Sequence, residues 1–306
     1  MNKKIAVLFG GNSNERNISL LSGNEILRCL LESNMNAYPI DTKYFPISQL
    51  PKQGFKKAFI ALHGKDGENG VIQGILTHLS IAYTGSKILT SAISIDKMKT
   101  KLLWKSVNLP IIPYYFINIK NFIKKTKKNL KNKVLFLGLP LIIKPNTEGS
   151  SIGINVVHSY ENLHNACKIA FQYGDDILIE KFIHGSEYSI GMLENKIFPS
   201  IRICPNNIFY NYESKYFSKN TKYFCPSGLT AKKEKELQNI VKKAWNVLGC
   251  VGWGRIDLIM DNFQKFWLLE MNTCPGMTKN SLMPMAAKQV GMSMPSLVLK
   301  ILQLAN

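Results

Sequence analysis

Strand and helix patterns alternate through the first hundred residues, and this alternation constrains the fold more than any other feature. Short apolar runs predict strands at 5–9, 37–41 and 57–62, and longer segments with helical spacing predict helices at 19–33 and 70–79. Strands separated by helices usually form a parallel sheet covered by those helices. Ligands of such sheets bind at the carboxyl ends of the strands. The sequence therefore predicts an N-terminal parallel α/β domain, Rossmann-like, with a binding site at that edge.

Two glycine-containing loops follow predicted strands of this domain. The first, residues 10–16, lacks the Gly-x-Gly-x-x-Gly order of dinucleotide-binding turns, and a tight turn explains its glycines about as well as binding does. The second, residues 63–70, places His63 beside three glycines and four other polar residues. Glycines let a ligand approach the backbone closely. We expect the second loop to contact a substrate, whereas a lone histidine is more often structural.

A second α/β unit follows a predicted helix at 91–106 and two prolines, and we place a domain boundary near residue 96. Its most distinctive segment is the loop 145–153, which is rich in small residues between two predicted strands. Backbone N–H groups and hydroxyls of such a loop can surround phosphate oxygens, and Lys144 adds a positive charge beside it. The P-loop order is missing, so a plain hairpin turn is the favoured interpretation of this segment taken alone.

The third unit begins near residue 184 with predicted strands at 187–193 and 196–203. The polar and aromatic segment 206–227 is long for a connector and predicts a lid. A helix is predicted at 231–248. Near the C-terminus, Ser281 is an N-cap candidate, and the start of the helix that follows could bind a carboxylate.

Residues 255–272 predict a β-hairpin with charged groups on one face. Side chains alternate along a strand, so Arg255, Asp257, Glu270 and Asn272 share a side, and symmetric pairing puts Asp257 opposite Glu270. Two carboxylates at ~4 Å repel by roughly 4 kcal/mol at an effective dielectric of ~20, which favours uptake of a proton or a cation. Oxygen ligands suit Mg²⁺ and nucleotide chemistry. The alternative is a surface hairpin in which the carboxylates pair with Arg255.

Composition excludes several classes of protein. The 306 residues are 45% hydrophobic, which is enough for two or three globular domains, and no apolar stretch reaches the length of a membrane span. Six scattered cysteines favour reduced thiols in a cytoplasmic protein. The net charge of +19 includes a lysine-rich run at 120–133 without stacking aromatics. A solvated face explains this run better than a nucleic-acid site, although a basic nucleic-acid-binding protein is the alternative from another class.

Five motifs in this order resemble the D-alanine:D-alanine ligases of the ATP-grasp superfamily, and the resemblance covers the whole chain. The motifs are His63 to Gly70, Lys144-Pro145 with Glu148 to Ser151, Glu180-Lys181 with Glu187, Lys215-Tyr216, and Arg255-x-Asp257 with Glu270-x-Asn272 to Gly276. The resemblance implies an α/β and α+β, three-domain ATP-grasp fold. Its domains would be residues 1–96 for substrate, 97–183 as central domain and 184–306 as C-terminal domain.

The resemblance also implies ligands and residue roles. ATP and two Mg²⁺ ions, or Mn²⁺, would bind between the central and C-terminal domains. The implied nucleotide-binding residues are Lys97, Lys144, Glu148, Ser150, Ser151, Glu180, Lys181, Phe182, Ile183, Glu187 and Lys215; the implied metal ligands are Asp257, Glu270 and Asn272. The implied substrate-binding residues are Glu15, His63, Arg255, Gly276, Ser281 and Leu282; the implied catalytic residues are Glu15, Ser150, Tyr216, Arg255 and Gly276.

The activity implied by the resemblance is ATP-dependent joining of two D-alanine molecules through an acyl phosphate, in peptidoglycan precursor synthesis. Tyr216 favours D-alanine in the second substrate position, and a D-alanine:D-lactate ligase or another ATP-grasp ligase is the nearest alternative. We expect small-molecule substrates and a homodimer, with neither nucleic acid nor membrane as partner.

Overall fold

The protein is described by a computed structural model covering residues 4–204 and 221–306. Within this part of the chain the strands form three sheets. Helices pack on all three, and the sheets surround a common cleft.

The first sheet is parallel, as predicted, because its strands are joined by helical crossovers. Its strand order is β2-β1-β3-β4. Ile5 to Leu8 in its second position are almost inaccessible, which is typical of a strand covered on both faces. The elements of this unit are β1 (Lys4–Phe9), α1 (Arg16–Glu32), β2 (Ala37–Asp41), β3 (Phe55–Ile60), α2 (Lys65–Glu68), α3 (Val71–His78) and β4 (Ala82–Tyr83).

The single helix predicted at 91–106 is wrong, since the structure has two helices here, α4 (Ile88–Ile95) and α5 (Lys97–Ser106). Asp96 interrupts them with an extended backbone, φ −83° and ψ 98°, and its side chain accepts a hydrogen bond from the Lys99 N–H at 2.9 Å. Aspartate favours such an N-cap over a helix interior. The helix that starts at this cap, α5, buries Lys97, Thr100, Lys101 and Trp104.

The second sheet is antiparallel, with strand order β5-β8-β6-β7. Its elements are β5 (Tyr114–Asn118), α6 (Ile119–Ile123), α7 (Lys127–Val134), β6 (Leu141–Pro145), β7 (Asn155–Val157), α8 (Tyr160–Ala170) and β8 (Asp176–Lys181). The lysine-rich run forms α6 and α7, which bury Phe122 and Leu130 and turn most of their lysines to solvent. This is the solvated face that the sequence predicts.

The third sheet has the order β12-β11-β9-β13-β14, with β10 paired to β9. Its elements are β9 (Gly185–Leu193), β10 (Lys196–Ile197), β11 (Ile201–Cys204), β12 (Lys222–Phe224), α9 (Ala231–Val247), β13 (Trp253–Asp261) and β14 (Phe266–Asn272).

Two predictions for this unit need correction. The strand predicted at 196–203 is two strands, β10 and β11, separated around Pro199, which has no N–H to donate to a ladder. The predicted lid segment also contains a strand: residues 222–224 pair with β11 at the edge of the sheet. Residues 206–220 of the predicted lid lie outside the described residues.

The last two helices, α10 (Leu282–Gln289) and α11 (Met294–Gln303), return to the first unit. Leu297 and Ile301 of α11 belong to the same hydrophobic core as Ile26 and Leu30 of α1. Core packing therefore crosses the division at 96 and 183, which stays a prediction. Among the described residues, no helix is both long and apolar enough to cross a membrane.

Candidate active site

A cavity of about 740 Å³ lies where the three units meet. Most residues that the sequence nominates line it, although they come from distant parts of the chain. These residues are Glu15, His63, Lys97, Lys144, Glu148, Ser150, Ser151, Glu180, Glu187, Arg255, Asp257, Glu270, Asn272, Gly276, Ser281 and Leu282.

Five nominated residues are not placed in this cavity. Lys181, Phe182 and Ile183 follow β8 but do not line it. The N–H of Lys181 donates to the Pro113 carbonyl and that of Phe182 to the Pro140 carbonyl, both at 3.0 Å, so these two N–H groups are used within the protein. Lys215 and Tyr216 lie outside the described residues.

The hairpin of β13 and β14 has the predicted register. Arg255 pairs with Asn272 and Asp257 with Glu270, and a bulge follows Asp257. Because side chains alternate along each strand, the register places all four side chains on the cavity wall. The charged face inferred from the sequence is therefore confirmed.

Asp257 is the most heavily bonded group of this face. The Arg255 guanidinium donates to both of its oxygens, from Nε at 2.9 Å and from Nη2 at 2.6 Å. Ser189 Oγ on β9 donates to Oδ1 at 2.7 Å, and Asn272 Nδ2 donates to Oδ2 at 3.0 Å. The ion pair of Arg255 with Asp257, which is the sequence-based alternative to a metal site, therefore exists. It lies in a cavity, however, and not on an outer surface.

The donor set of the hairpin fits a hard cation. Asp257 and Glu270 supply carboxylate oxygens, and Asn272 supplies an amide oxygen when its amide is turned, which exchanges its hydrogen bond to Asp257 for a bond to the cation. No group of three or more His, Cys, Asp or Glu residues able to hold a metal occurs in the described ranges. A cation here would therefore complete its coordination with Asn272, water and a bound phosphate, as Mg²⁺ commonly does.

Glu15 is buried at the junction of the first loop and the loop 145–153, with 7% of its surface exposed. The hydroxyl of Ser150 donates a hydrogen bond to Glu15 Oε1. A Cβ on Gly149 would lie 2.7 Å from Glu15 Oε2, so only glycine lets the loop approach this closely. Ser150 and Ser151 both adopt positive φ, 49° and 61°. Strained backbone of this kind is concentrated at functional sites.

Glu148 ties the same loop to the first unit. Its Oε1 lies 2.8 Å from Lys65 Nζ, and its Oε2 accepts from Asn14 Nδ2 at 3.1 Å. The Glu148 carbonyl accepts from Lys97 Nζ at 2.6 Å, and that ammonium also lies 3.7 Å from Glu270 Oε2. Lys97 thus joins the loop 145–153 to the carboxylates of the hairpin.

His63 is buried, and protein groups hold both of its ring nitrogens. Nδ1 lies 2.9 Å from the Cys274 carbonyl, and Nε2 lies 3.0 Å from Ser22 Oγ. Burial lowers the pKa of His63 to about 4. The imidazole is therefore neutral at physiological pH, and it positions the loop around Cys274 at the cavity wall.

Glu68 lines the cavity, but the sequence interpretation gave it no role. It accepts from the Gly64 N–H at 3.0 Å and from the Cys274 N–H at 3.2 Å. Burial, followed by the nearby Glu15 carboxylate, raises the pKa of Glu68 to about 8. Its position within the loop 63–70 was the available signal, since a carboxylate among three glycines at a strand end is a candidate for ligand binding.

Glu180 lies between two lysines. Its Oε2 is 2.8 Å from Lys144 Nζ and its Oε1 is 3.0 Å from Lys101 Nζ. Burial acts to raise the pKa of Glu180, but the two ammonium groups outweigh it and hold the pKa below its ordinary value. Lys101 was missed from the sequence. The signal for it was its spacing, because it lies one helical turn after Lys97 on α5.

Ser281 is the N-cap residue of α10, as predicted, although its side chain does not cap the helix. Its hydroxyl instead accepts from the Thr278 N–H at 3.0 Å. The first N–H groups of a helix have no partner within it and carry partial positive charge. The start of α10, beside Gly276 on the cavity wall, is thus suited to an anionic ligand.

The parallel sheet, the two antiparallel sheets and the cleft between them, lined by lysines, carboxylates and a small-residue loop, define a ligase of the ATP-grasp fold. The sequence profile described as "D-ala D-ala ligase C-terminus" matches residues 103–303. The chain belongs to the D-alanine–D-alanine ligase family.

Similar proteins match this chain over nearly its full length. A D-alanine–D-alanine ligase of Buchnera aphidicola subsp. Baizongia pistaciae (strain Bp) is 62% identical over 304 residues, which is 99% of this chain and 98% of the relative. One of Buchnera aphidicola subsp. Schizaphis graminum (strain Sg) is 55% identical over 99% of both chains. The crystal structure of D-alanine–D-alanine ligase from Bacillus anthracis complexed with ATP has a TM-score of 0.84 at 27% identity, covering 98% of this chain and 96% of that one.

Proposed function

We propose that this chain joins two D-alanine molecules into D-alanyl-D-alanine at the expense of ATP, releasing ADP and phosphate, for peptidoglycan precursor synthesis in the cytoplasm. The observation that carries the proposal is the convergence of an anion-binding loop, buried lysines and a carboxylate pair on one cavity of about 740 Å³. Relatives at 62% and 55% identity carry the name of this activity.

The nucleotide would lie between the second and third sheets. Lys97 and Lys144 are buried at the cavity wall and would face its phosphates, while the loop 148–151 would cover them. Glu180 would accept a hydrogen bond from the adenine amino group, and Glu187 would hold the ribose. Lys215, which lies outside the described residues, would contact the γ-phosphate.

Asp257, Glu270 and Asn272 would hold two Mg²⁺ ions, or Mn²⁺, with Glu270 shared between them. Bound there, the ions supply charge neutralisation and alignment for phosphate oxygens. In the structure, Arg255 and Lys97 approach these carboxylates and offset part of their charge. The same residues would then offset the charge of the bound nucleotide.

The first chemical step is attack of one D-alanine carboxylate on the γ-phosphorus, which breaks the bond to ADP and forms an acyl phosphate. Glu15 would bind the ammonium of this D-alanine, and Ser150 fixes the Glu15 carboxylate through their hydrogen bond. His63 would help by holding the Cys274 segment in place. Phosphoryl transfer depends mainly on such positioning and on charge stabilisation.

In the second step, the amine of another D-alanine attacks the acyl carbon, and phosphate leaves. Ser281 and the Leu282 N–H at the start of α10 would hold the carboxylate of this second substrate. Arg255 and the Gly276 N–H would stabilise the oxyanion of the tetrahedral intermediate. Asp257 fixes the guanidinium of Arg255 for this task through two hydrogen bonds. Tyr216 would join Glu15 and Ser150 and close the site.

We further propose a homodimer formed by the exposed surface of α3 and α4. Val71, Ile75, Ile88 and Leu89 are 59%, 39%, 43% and 72% exposed, and Ile88 contacts the Gly70–Gly74 side of α3. An apolar surface of this kind marks an interaction site. Sedimentation at several concentrations tests the proposal: L89K should give a monomer, and a wild-type monomer at all concentrations would contradict it.

An ADP-release assay with ATP, Mg²⁺ and D-alanine, with the product identified by mass, tests the proposed activity. ADP should form with D-alanine and not with L-alanine. D-Lactate and D-serine should not replace the second D-alanine at comparable rates. Comparable turnover with D-lactate would favour the D-alanine:D-lactate ligase alternative, and comparable turnover with D-serine would favour another ATP-grasp ligase. Tight, salt-dependent DNA or RNA binding without ADP release would favour the nucleic-acid alternative.

A further inference from the structure

Lys101 lies near the cavity, but a ligand bound there cannot contact its buried side chain. It is 0% exposed, does not line the cavity and lies behind Glu180, which does. Its Nζ is 3.0 Å from Glu180 Oε1 and 5.7 Å from the centre of the Tyr114 ring. A fully buried lysine is rare unless it is paired, so its ammonium and the Glu180 carboxylate depend on each other.

The two lysines around Glu180 are not equivalent. Lys144 lines the cavity, 2.8 Å from Glu180 Oε2, where it can turn towards the phosphates of a bound nucleotide. Lys101 has no such alternative partner in the cavity. When Lys144 engages a phosphate, Lys101 is the counter-ion that stays with Glu180. A carboxyl group that is only 1% exposed would take up a proton without such a counter-ion.

The protonation of Glu180 determines what it can recognise. A carboxylate only accepts hydrogen bonds, whereas a protonated carboxyl group can also donate one. The 6-amino group of adenine donates, and the 6-oxo group of hypoxanthine accepts. An ionised Glu180 therefore accepts a hydrogen bond from the amino group of adenine. With hypoxanthine, the buried carboxylate would face the 6-oxo group, which is also an acceptor, and the missing hydrogen bond costs binding energy.

We propose that Lys101 keeps Glu180 ionised and oriented as a hydrogen-bond acceptor, and thereby makes the nucleotide site select 6-amino purines over 6-oxo purines. The inference rests on the proposed function, because it places the purine at Glu180. Lys101 is a positioning residue and touches no substrate.

The test is equilibrium binding of ADP and of inosine diphosphate, measured by titration calorimetry without D-alanine. Wild-type protein should bind ADP more tightly by on the order of ten-fold or more, as expected for one mismatched buried hydrogen bond. K101M should weaken ADP binding and reduce this ratio to about three-fold or less. K105M, at an exposed position of the same helix, should leave both affinities unchanged.

The ratio of the two affinities does not depend on the fraction of folded protein, so a destabilised K101M remains informative. The double variant K101M with E180Q removes the charges of Lys101 and Glu180 and should fold, because Lys144, the remaining charge of the cluster, lines the cavity. It should also lack discrimination. An unchanged ratio in K101M, or equal affinities in the wild type, would overturn the inference. A protein that discriminates the nucleotides but makes no dipeptide would instead overturn the proposed function.

Discussion

The hairpin carboxylates and the lysine-flanked Glu180 are both concentrations of charge at one cavity, yet they arise in different ways. Asp257 and Glu270 meet because two neighbouring strands of one hairpin place alternate residues on one face. Glu180 meets Lys101 and Lys144 because a helix and two strands from separate segments converge. Strand periodicity reveals the first cluster, whereas the second depends on packing. Under the proposed function the comparison also separates two tasks, since the hairpin would face the reacting groups and the Glu180 cluster would face the base.

The largest expected effect belongs to E270Q. Loss of one carboxylate from the hairpin should lower kcat/KM by roughly 10³-fold, because several kcal/mol of charge stabilisation depend on the metal ligands. The fold should be intact, since Glu270 is partly exposed. ADP release measures kcat/KM, and thermal unfolding measures whether the fold is intact. E194Q, at an exposed carboxylate, is the control. Near-normal turnover of E270Q would refute the metal assignment.

R255K tests whether Arg255 acts beyond neutralising Asp257. Lysine keeps the charge but cannot reproduce the two hydrogen bonds to Asp257. We expect kcat to fall by about 10²-fold, as for loss of one oxyanion donor, with the KM for ATP nearly unchanged. Steady-state kinetics with ATP and with D-alanine separates these parameters. R28K, at an exposed arginine of α1, is the control. A rise in the ATP KM at normal kcat would assign Arg255 to nucleotide binding instead.

G149A tests the contact between the loop and Glu15. The added methyl group would lie 2.7 Å from Glu15 Oε2 and should displace the carboxylate. We expect the KM for D-alanine to rise roughly ten-fold, which corresponds to about 1.4 kcal/mol. G174A is the matched control, since a Cβ there meets no atom within 4 Å and the backbone is extended. An unchanged KM in G149A would contradict the role of Glu15 in binding D-alanine.

The last prediction concerns the pH dependence of stability instead of catalysis. The unfolded chain protonates His63 near its ordinary pKa of 6.5, whereas burial lowers the folded pKa to about 4. At this group the unfolded state therefore binds more protons between these values, so the His63 contribution to stability falls as pH decreases from 6.5 to 4, by up to about 3 kcal/mol. Glu68, with a folded pKa raised to about 8, contributes in the opposite direction between pH 8 and its ordinary pKa of 4.5. Denaturant unfolding at several pH values measures this dependence.

H63Q should remove the His63 contribution, so the unfolding free energy of the wild type relative to H63Q should fall as pH decreases from 6.5 to 4, because glutamine can hold similar hydrogen-bond partners without titrating. H78Q, at an exposed position on α3, should preserve it. A slope in H63Q equal to that of the wild type would show that other groups cause the acid sensitivity.

Sequence patterns predicted most elements, and most residues nominated from the sequence line the cavity, while the failures have a common origin. The helix break at Asp96 was missed because the apolar spacing continues across it, while the cap that stops the first helix is a single side chain. The strand at 222–224 was missed because its partner is β11, and strand propensity depends on such a neighbour. Glu68 and Lys101 were given no role because burial by distant segments, which sequence does not display, makes them important.

The sequence by itself determined the parallel N-terminal sheet and the register of the hairpin at 255–272, because each follows from the spacing of nearby residues. Only the tertiary structure decided that α11 completes the core of the first unit, that Glu148 ties the loop to Lys65, and that Lys101 lies behind Glu180. The physical reason is how far apart in the sequence the interacting residues are. Periodicity fixes which side chains share a face, whereas desolvation and charge pairing depend on what other segments bring to that face.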